Sequence, residues 1–335
     1  KRWSHQLYVL DNHYKTKYDG YLTDIKTRAF GDQVTYKAKD HTVVGGFDWR
    51  QDKVVNMGGI KLTNTSYFLQ DEWKVAPKWT VTPGVRVDHH SAFGTHTSPS
   101  ISVGYDVNAK TNVYAAYKEY FLAPTPYQLF DGTYGNRNLK PETGHEWSVG
   151  VHHKFGKTWN SNLSFFSRST KDKIGWATNP ATGTVQYQNF DTEKAHGINA
   201  DVRKQLTKHL SARLGYTYTH IDATPTRKAN RDGYVPKHAV NAGLDYNDAK
   251  WDAHLDIRGV IDRPGPAANI FPRTTYWITD ISANYRVREN VTVFGRVNNL
   301  FDTYYAEQSN VRWGNAGDWW PGQGRNFRLG VEVTI

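Results

Sequence analysis

The sequence predicts an all-β chain, an antiparallel up-and-down sheet of about 16 strands that forms the wall of a transmembrane β-barrel. Three observations predict it. Short stretches of alternating apolar and polar residues run through all 335 positions, no segment is apolar enough to cross a bilayer as a helix, and aromatic residues are abundant, with 12 Trp and 21 Tyr.

Period two is the strand signature, because successive side chains of a strand point to opposite faces. In the last strand Phe327, Leu329, Val331, Val333 and Ile335 fall on one face, and Arg328, Gly330, Glu332 and Thr334 on the other. Trp251, Ala253, Leu255, Ile257 and Ile261 alternate in the same way with Asp252, His254, Asp256 and Arg258. So do Leu210, Ala212, Leu214, Tyr216 and Tyr218 with Ser211, Arg213, Gly215 and Thr217. A soluble sandwich runs to roughly seven to nine strands in about 100 residues, whereas this rhythm continues to the end of the chain without a break in composition. The longest unbroken apolar run is residues 113–117, far short of the roughly 20 that a spanning helix needs. A closed barrel crosses with about 9 to 11 residues per strand, one face greasy and one wet. A mean hydropathy of −0.71 is then expected.

Taken in order, the first recognisable strand covers residues 3–11. Tight links follow at residues 38–41, 76–79, 108–112, 155–159, 205–208, 247–250 and 286–290. Long polar connections rich in Gly, Pro, Asn and aromatics lie between them, at residues 51–64, 121–143, 170–183, 222–236, 262–275 and 301–325. Short connections of such barrels are periplasmic and long ones external, so the two classes orient the chain. Counting back from Ile335 in the periplasm makes the first strand an upward one, and the even count suits a bacterial barrel. Trp49, Trp73, Trp79, Trp147, Trp159, Trp251 and Trp277 near strand ends read as interfacial girdles. Arg213, Arg258 and Arg296 should face the lumen, because an Arg facing lipid at mid-bilayer costs about 2 to 4 kcal/mol.

The remaining composition narrows the function. A net charge of +10 comes from 42 Lys and Arg spread along every strand and loop; no basic cluster or motif points to nucleic acid, and attraction to an anionic lipid surface, including lipopolysaccharide, suffices. There is no Gly-x-Ser-x-Gly elbow, no His-Glu-x-x-His pair, no phosphate loop and no cysteine, so no enzyme and no cofactor is expected. The 14 His include the pairs His89-His90 and His152-His153. Neighbours in a strand face opposite ways, so neither pair can chelate one ion as a strand pair, and no metal site is expected.

Two loops carry more specific signals. Phe121, Leu122, Ala123 and Pro124, then Tyr127 to Phe130, then the run from Tyr134 through Gly135, Asn136, Asn138, Leu139 and Pro141 to Glu142 resemble the paired loop motifs of TonB-dependent outer-membrane receptors. Asn298, Asn299, Leu300, Phe301 and Asp302, with Tyr304, Tyr305 and the run from Pro321 to Arg325, resemble that family's C-terminal signature. Looser similarity extends over the whole chain. Both motifs also make sense as structure, since Asn, Gly and Pro with a buried aromatic shape a loop and start a strand. Leu122 stands where Arg is common in the family, Arg137 where Pro is common, and Ile335 where an aromatic is common.

The resemblance implies a multi-pass receptor of the bacterial outer membrane for energised uptake of a scarce nutrient, most strongly a ferric siderophore, with cobalamin and haem as alternatives. Haem receptors of the family carry an axial His between the two motifs, and residues 125–135 contain none. The family has about 22 strands. Residues 1–335 would then be the C-terminal part of the barrel, with an N-terminal plug, a segment for the TonB energy complex and roughly six strands outside this chain. A passive porin remains the rival, because about 16 strands is a porin's own number. Anionic, partly aromatic chelates would suit Arg263, Arg273, Arg312 and Arg325 with Tyr127, Phe130, Tyr134, Phe271, Trp313, Trp319 and Trp320.

Overall fold

A computed structural model describes residues 2–18, 21–178, 183–222, 235–263, 274–309 and 319–334. The chain opens with β1 (Trp3–Tyr18), β2 (Tyr21–Lys37), β3 (His41–Val54), β4 (Ile60–Ala76), β5 (Trp79–His90), β6 (Gly94–Asn108) and β7 (Thr111–Leu122). A short helix α1 (Pro126–Phe130) interrupts the connection to β8 (Glu142–Phe155), β9 (Trp159–Thr178), β10 (Val185–Gln205) and β11 (Leu210–Asp222). Then come β12 (His238–Asn247), β13 (Trp251–Ile261), β14 (Tyr276–Arg288), β15 (Val291–Asn298), the short β16 (Ala306–Ser309) and β17 (Trp319–Pro321), and β18 (Asn326–Val333).

Sixteen of these strands form one sheet in chain order, each antiparallel to the next, with β15 pairing β18; β16 and β17 make a separate two-stranded ribbon in the last loop. The up-and-down barrel topology and the count expected from the alternation are both present.

Register verifies the two faces. Leu244, Leu255, Ile281, Val297 and Phe327 stand opposite one another in a row from β12 to β18. One residue along, Arg213, Gly243, Asp256 and Asp280 form a polar row on the other face. Gly243 leaves room there: a side chain at 243 would have to displace the Arg213 guanidinium, which crosses that gap to pair with Asp256. Gly31 makes the same kind of gap, over which the Tyr8 hydroxyl donates to Asp48 at 2.9 Å. Arg258 and Arg296 lie on the polar face too, as the alternation requires.

Trp3, Trp49, Trp73, Trp79, Trp147, Trp159, Trp251 and Trp277 sit on the apolar face near strand ends. At the end where the tight links lie they meet aromatic partners directly across the ladder: Trp3 with Tyr36 at 4.4 Å, Trp79 with Tyr105 at 4.6 Å and Trp251 with Tyr285 at 4.7 Å between ring centroids. Trp73 stacks on His41 and Phe155 meets Trp159 edge-on. Toward the outer end Phe30 meets Trp49 at 5.2 Å, and Trp147 meets Phe165 at 5.3 Å. Cross-strand aromatic pairs contribute about 0.2 to 1 kcal/mol each, and two such levels are what the interfacial girdles expected from the sequence require.

All seven tight links are found where the sequence placed them, joining β2 to β3, β4 to β5, and so on to β14 and β15. The turn from Asn247 to Trp251 shows why they are tight. Asp248 accepts the backbone N–H of Lys250 at 2.8 Å and of Trp251 at 2.7 Å, and the Tyr246 hydroxyl at 2.7 Å. Those bonds, that of Trp251 first, hold its carboxyl down at about 2.

Two of the outer connections are shorter than the sequence suggested. β3 runs to Val54 and β4 starts at Ile60, so the loop there is 55–59 rather than 51–64; β9 runs on to Thr178 rather than ending near Thr170. Between β5 and β6 only residues 91–93 intervene, so the short-inside, long-outside division is not clean. β1 likewise continues to Tyr18 rather than ending near Asp11. Above the membrane both faces of a strand meet water, and alternation no longer distinguishes strand from loop.

β1 and β18 each pair on one side only. Their apolar faces are the most open of the sheet, with Val9 76% and Leu329 82% exposed.

Replacing Leu214 or Leu255 with Arg should impair membrane assembly by about 2 to 4 kcal/mol, while Thr217→Arg on the polar face is tolerated; yield of the heat-modifiable folded band checks this. Because the Asp248 carboxyl is depressed on folding, its contribution is complete above about pH 4 and is lost as pH falls toward 2. Asp248→Ala should therefore flatten acid-induced melting over that window, measured by tryptophan fluorescence.

Candidate functional site

The polar face of β3 to β7 and the start of the β7–β8 loop line an open cavity of about 690 Å³. Alternation places Arg50 and Asp52 of β3, Asn64 of β4, Arg86, Asp88 and His90 of β5, and Lys118 and Tyr120 of β7 along its wall. The segment from Phe121 to Pro126 closes one side.

The charged groups are ordered by one another. Arg86 bridges two carboxylates, donating to Asp48 at 3.0 Å and to Asp88 at 3.1 Å. Asp88 also accepts Ser66 at 2.6 Å and Asn64 at 2.9 Å, and Ser66 is fully buried. Arg50 makes a two-pronged pair with Asp52, at 2.9 and 3.0 Å, and Asp52 accepts the Thr27 hydroxyl at 2.6 Å. Lys118 pairs with Glu146 at 2.9 Å. Arg50 and Lys118 keep more than half of their side-chain surface exposed. Such pairs are worth little in water, so both cations can turn toward an anionic ligand at small cost. Buried Asn64 Oδ1 has no partner among the described residues.

The first motif anchors the loop above this cavity. Thr125 caps α1 by accepting the Gln128 N–H at 3.2 Å while Gln128 Oε1 accepts the Thr125 N–H at 2.8 Å. Leu129 and Leu139 are buried against Leu62 and Ile174, with Phe93, Phe130 and Tyr187 around them. Asn136 donates to the Tyr187 carbonyl at 2.9 Å and accepts the Asn138 N–H at 2.9 Å. Glu142 is buried, accepting Lys173 at 2.8 Å and the Ile174 N–H at 2.9 Å. Pro124 is buried and Phe121 stacks on His96 at 4.0 Å. Arg137 lies over the Phe130 ring at 5.4 Å.

The C-terminal motif builds a second knot. Asn299, in the left-handed region at φ 49°, donates to the carbonyls of Thr303 at 2.9 Å and Gln323 at 3.1 Å. It accepts the Thr303 N–H at 2.8 Å, and its own N–H meets Asp280 at 2.7 Å. Asp302 accepts the Arg325 N–H at 2.7 Å, and Leu300 donates its N–H to the Thr279 carbonyl at 2.8 Å. Phe301 is exposed. Tyr305 is buried against Tyr276 at 5.0 Å; burial raises its phenol, and Glu307 adds to the rise.

The residues nominated from sequence fall into two groups. Tyr127, Phe130 and Tyr134 lie in the β7–β8 loop, where Tyr127 meets Tyr187 edge-on at 6.1 Å and the Tyr134 carbonyl accepts the Tyr187 N–H at 3.0 Å. Arg263 is buried beside Tyr276 and donates to the carbonyls of Ala306 and Glu307; Arg325 is exposed and reaches the Leu300 carbonyl. The backbone of Trp319 lies in β17, and Phe271, Arg273, Arg312 and Trp313 lie outside the described residues. The cavity cations Arg50, Arg86 and Lys118 were missed, although their parity on the polar face was readable. The His pairs split as expected: His90 packs on Phe93 toward the cavity, while His89 bonds Thr95 on the other face.

A family model described as TonB dependent receptor-like, beta-barrel, matches residues 2–300. The chain belongs to the TonB-dependent receptor family. It is similar to the iron-regulated outer membrane virulence protein of Vibrio cholerae, 28% identical over 317 residues that are 86% of this chain and 47% of that protein. It also resembles the vitamin B12 transporter BtuB of Photobacterium profundum, 26% identical over 78% of this chain and 43% of that one. The chain thus spans about half the length of the curated relatives it matches. In fold it matches the siderophore receptor PirA from Pseudomonas aeruginosa with TM-score 0.74 at 19% identity, covering 98% of this chain and 59% of that one. The family and these relatives place the sheet in the outer membrane.

Glu142→Ala should remove two bonds to the carboxylate, at about 1.5 to 3 kcal/mol each. The β7–β8 loop should then be cut faster in limited proteolysis while the heat-modifiable barrel band is unchanged.

Proposed function

We propose that this chain supplies wall and outer loops of a receptor for energised uptake of a scarce nutrient, a ferric siderophore above all. The observation that carries this reading is the cavity under the β7–β8 loop, where Arg50, Arg86 and Lys118 face one space roofed by the first family motif. Ferric siderophores are often anionic, and cations already ordered by carboxylates can exchange those partners for the ligand. The iron-regulated relative and the siderophore receptor of the same fold support the same class. Cobalamin is the second reading, favoured by the similarity to a vitamin B12 transporter.

No chemical step is part of this function. Ligand binds from outside, and the pull comes from a TonB inner-membrane complex acting on a plug in the lumen. The open edges of β1 and β18 are where further wall strands would pair, since unpaired backbone N–H and C=O groups in hydrocarbon cost several kcal/mol each.

Uptake of iron-55 from ferric siderophores and of labelled cobalamin, in cells with and without the gene, tests this reading. Loss of ferric siderophore uptake is expected, and Arg50→Gln with Lys118→Gln should lower it by about tenfold, equivalent to ~1.4 kcal/mol, at unchanged abundance in the outer membrane. Unchanged iron uptake with lost cobalamin uptake would transfer the function to the second reading. Passive conductance with neither dependence would make it a porin.

A further inference from the structure

Histidines adjacent along a strand face apart, but histidines opposite each other across the ladder face the same way. His196 of β10 and His220 of β11 are directly opposite, on the face of Ile198 and Tyr218. Their ring centroids are 5.0 Å apart and the rings are tilted by 42°. His220 lies two residues before Asp222, the last of β11. At about 3.4 Å per residue and a tilt near 40°, the pair stands roughly 5 Å outward of Tyr218. Ions can reach it there, since the His220 side chain is 43% exposed and His196 is half-buried.

The ring nitrogens of His220 are not equivalent. Asp222 Oδ1 lies 3.0 Å from His220 Nε2, and a carboxylate only accepts, so Nε2 carries the proton. In the neutral ring Nδ1 is then left with its lone pair, the arrangement that a carboxylate behind a metal-binding imidazole imposes. Among the described residues the His196 ring has no hydrogen-bond partner, and its ring contact is with His220. An ion held at about 2.0 to 2.1 Å by each of two imidazoles needs their nitrogens roughly 3.4 Å apart, a separation that these two rings reach by turning about χ2. Lys194 stands opposite Asp222 and offsets its charge, so the selection falls to the neutral imidazoles. Such donors suit zinc, copper or nickel, whereas calcium and magnesium take oxygen ligands. Among the described residues no group of three His, Asp or Glu side chains could hold an ion, which leaves the other coordination positions to water.

We propose that His196 and His220 form a chelating pair for a transition-metal ion, zinc or copper(II), with Asp222 as a positioning residue behind His220. The ion ties β10 to β11 where β11 ends and the connection to β12 begins. The pair is separate from the cavity of β3 to β7, and it stands whether or not that cavity takes a siderophore. His238 of β12 shares the face, standing opposite Tyr218, but its Nδ1 is engaged with the Tyr216 hydroxyl at 2.7 Å.

Calorimetric titration of zinc into untagged, chelator-stripped protein in detergent tests this, comparing wild type with H196Q, H220Q, D222N and H238Q, each with its heat-modifiable folded band intact. Wild type and H238Q should share the same tightest zinc affinity, H196Q and H220Q should each weaken it by about tenfold or more, and D222N by about tenfold. Excess calcium or magnesium should not compete. Copper(II) added to wild type below one equivalent should give an electron paramagnetic resonance spectrum split by two imidazole nitrogens, a readout that needs no variant to fold. Wild-type affinity in H196Q or H220Q, an equal loss in H238Q, displacement by calcium, or a copper spectrum with one imidazole or none would each overturn the proposal. Wild-type affinity in D222N would overturn the role given to Asp222.

Discussion

Every backbone N–H and C=O inside a bilayer must find a partner in the protein, since hydrocarbon offers none. For a chain without long apolar runs the antiparallel ladder is the remaining solution, and it imposes period two on everything else. The apolar row from Leu244 to Phe327 and the polar row from Arg213 to Asp280 are two consequences of one register, a single residue apart. A slip of one residue would exchange them and place Arg213 in lipid. The Trp and Tyr pairs at strand ends hold that register at the membrane surfaces, where the ladder leaves the hydrocarbon.

The same alternation builds the site. Polar positions of β3 to β7 beside the cavity carry ion pairs: Arg86 between Asp48 and Asp88, Arg50 with Asp52. These pairs orient cations toward the lumen without locking them. The family motifs act one level higher. Leu129, Leu139, Asn136 and Glu142 pin the β7–β8 loop to β4, β9 and β10, and Asn299 with Asp302 knots the last loop to β14 and β18. The loops are therefore rigid where they leave the wall, which is what lets a cavity beneath them keep a shape.

Much of this was legible in the sequence. Strand number, facing and the seven periplasmic turns follow from alternation and turn residues such as Asp248, because in the membrane those are the only devices available. The outer ends were less legible. Residues 171–178 are strand, yet Lys171, Asp172 and Lys173 carry no alternation signal when both faces meet water. Side-chain chemistry in loops was weaker still. Arg263 reads as a cation for an anionic ligand, whereas its guanidinium lies buried on the carbonyls of Ala306 and Glu307. Arg50 and Arg86 were readable as lumen-facing from parity, but only the cross-strand register shows that they share a cavity.

Spin labels placed one at a time at positions 210–218 of β11, in the protein held in lipid bilayers, test the facing scheme most directly. Accessibility to oxygen should peak at positions 210, 212, 214, 216 and 218, and accessibility to a water-soluble nickel chelate at the positions between them. A helical period, or chelate accessibility on both sets, would contradict a wall with lipid on one face and an aqueous lumen on the other.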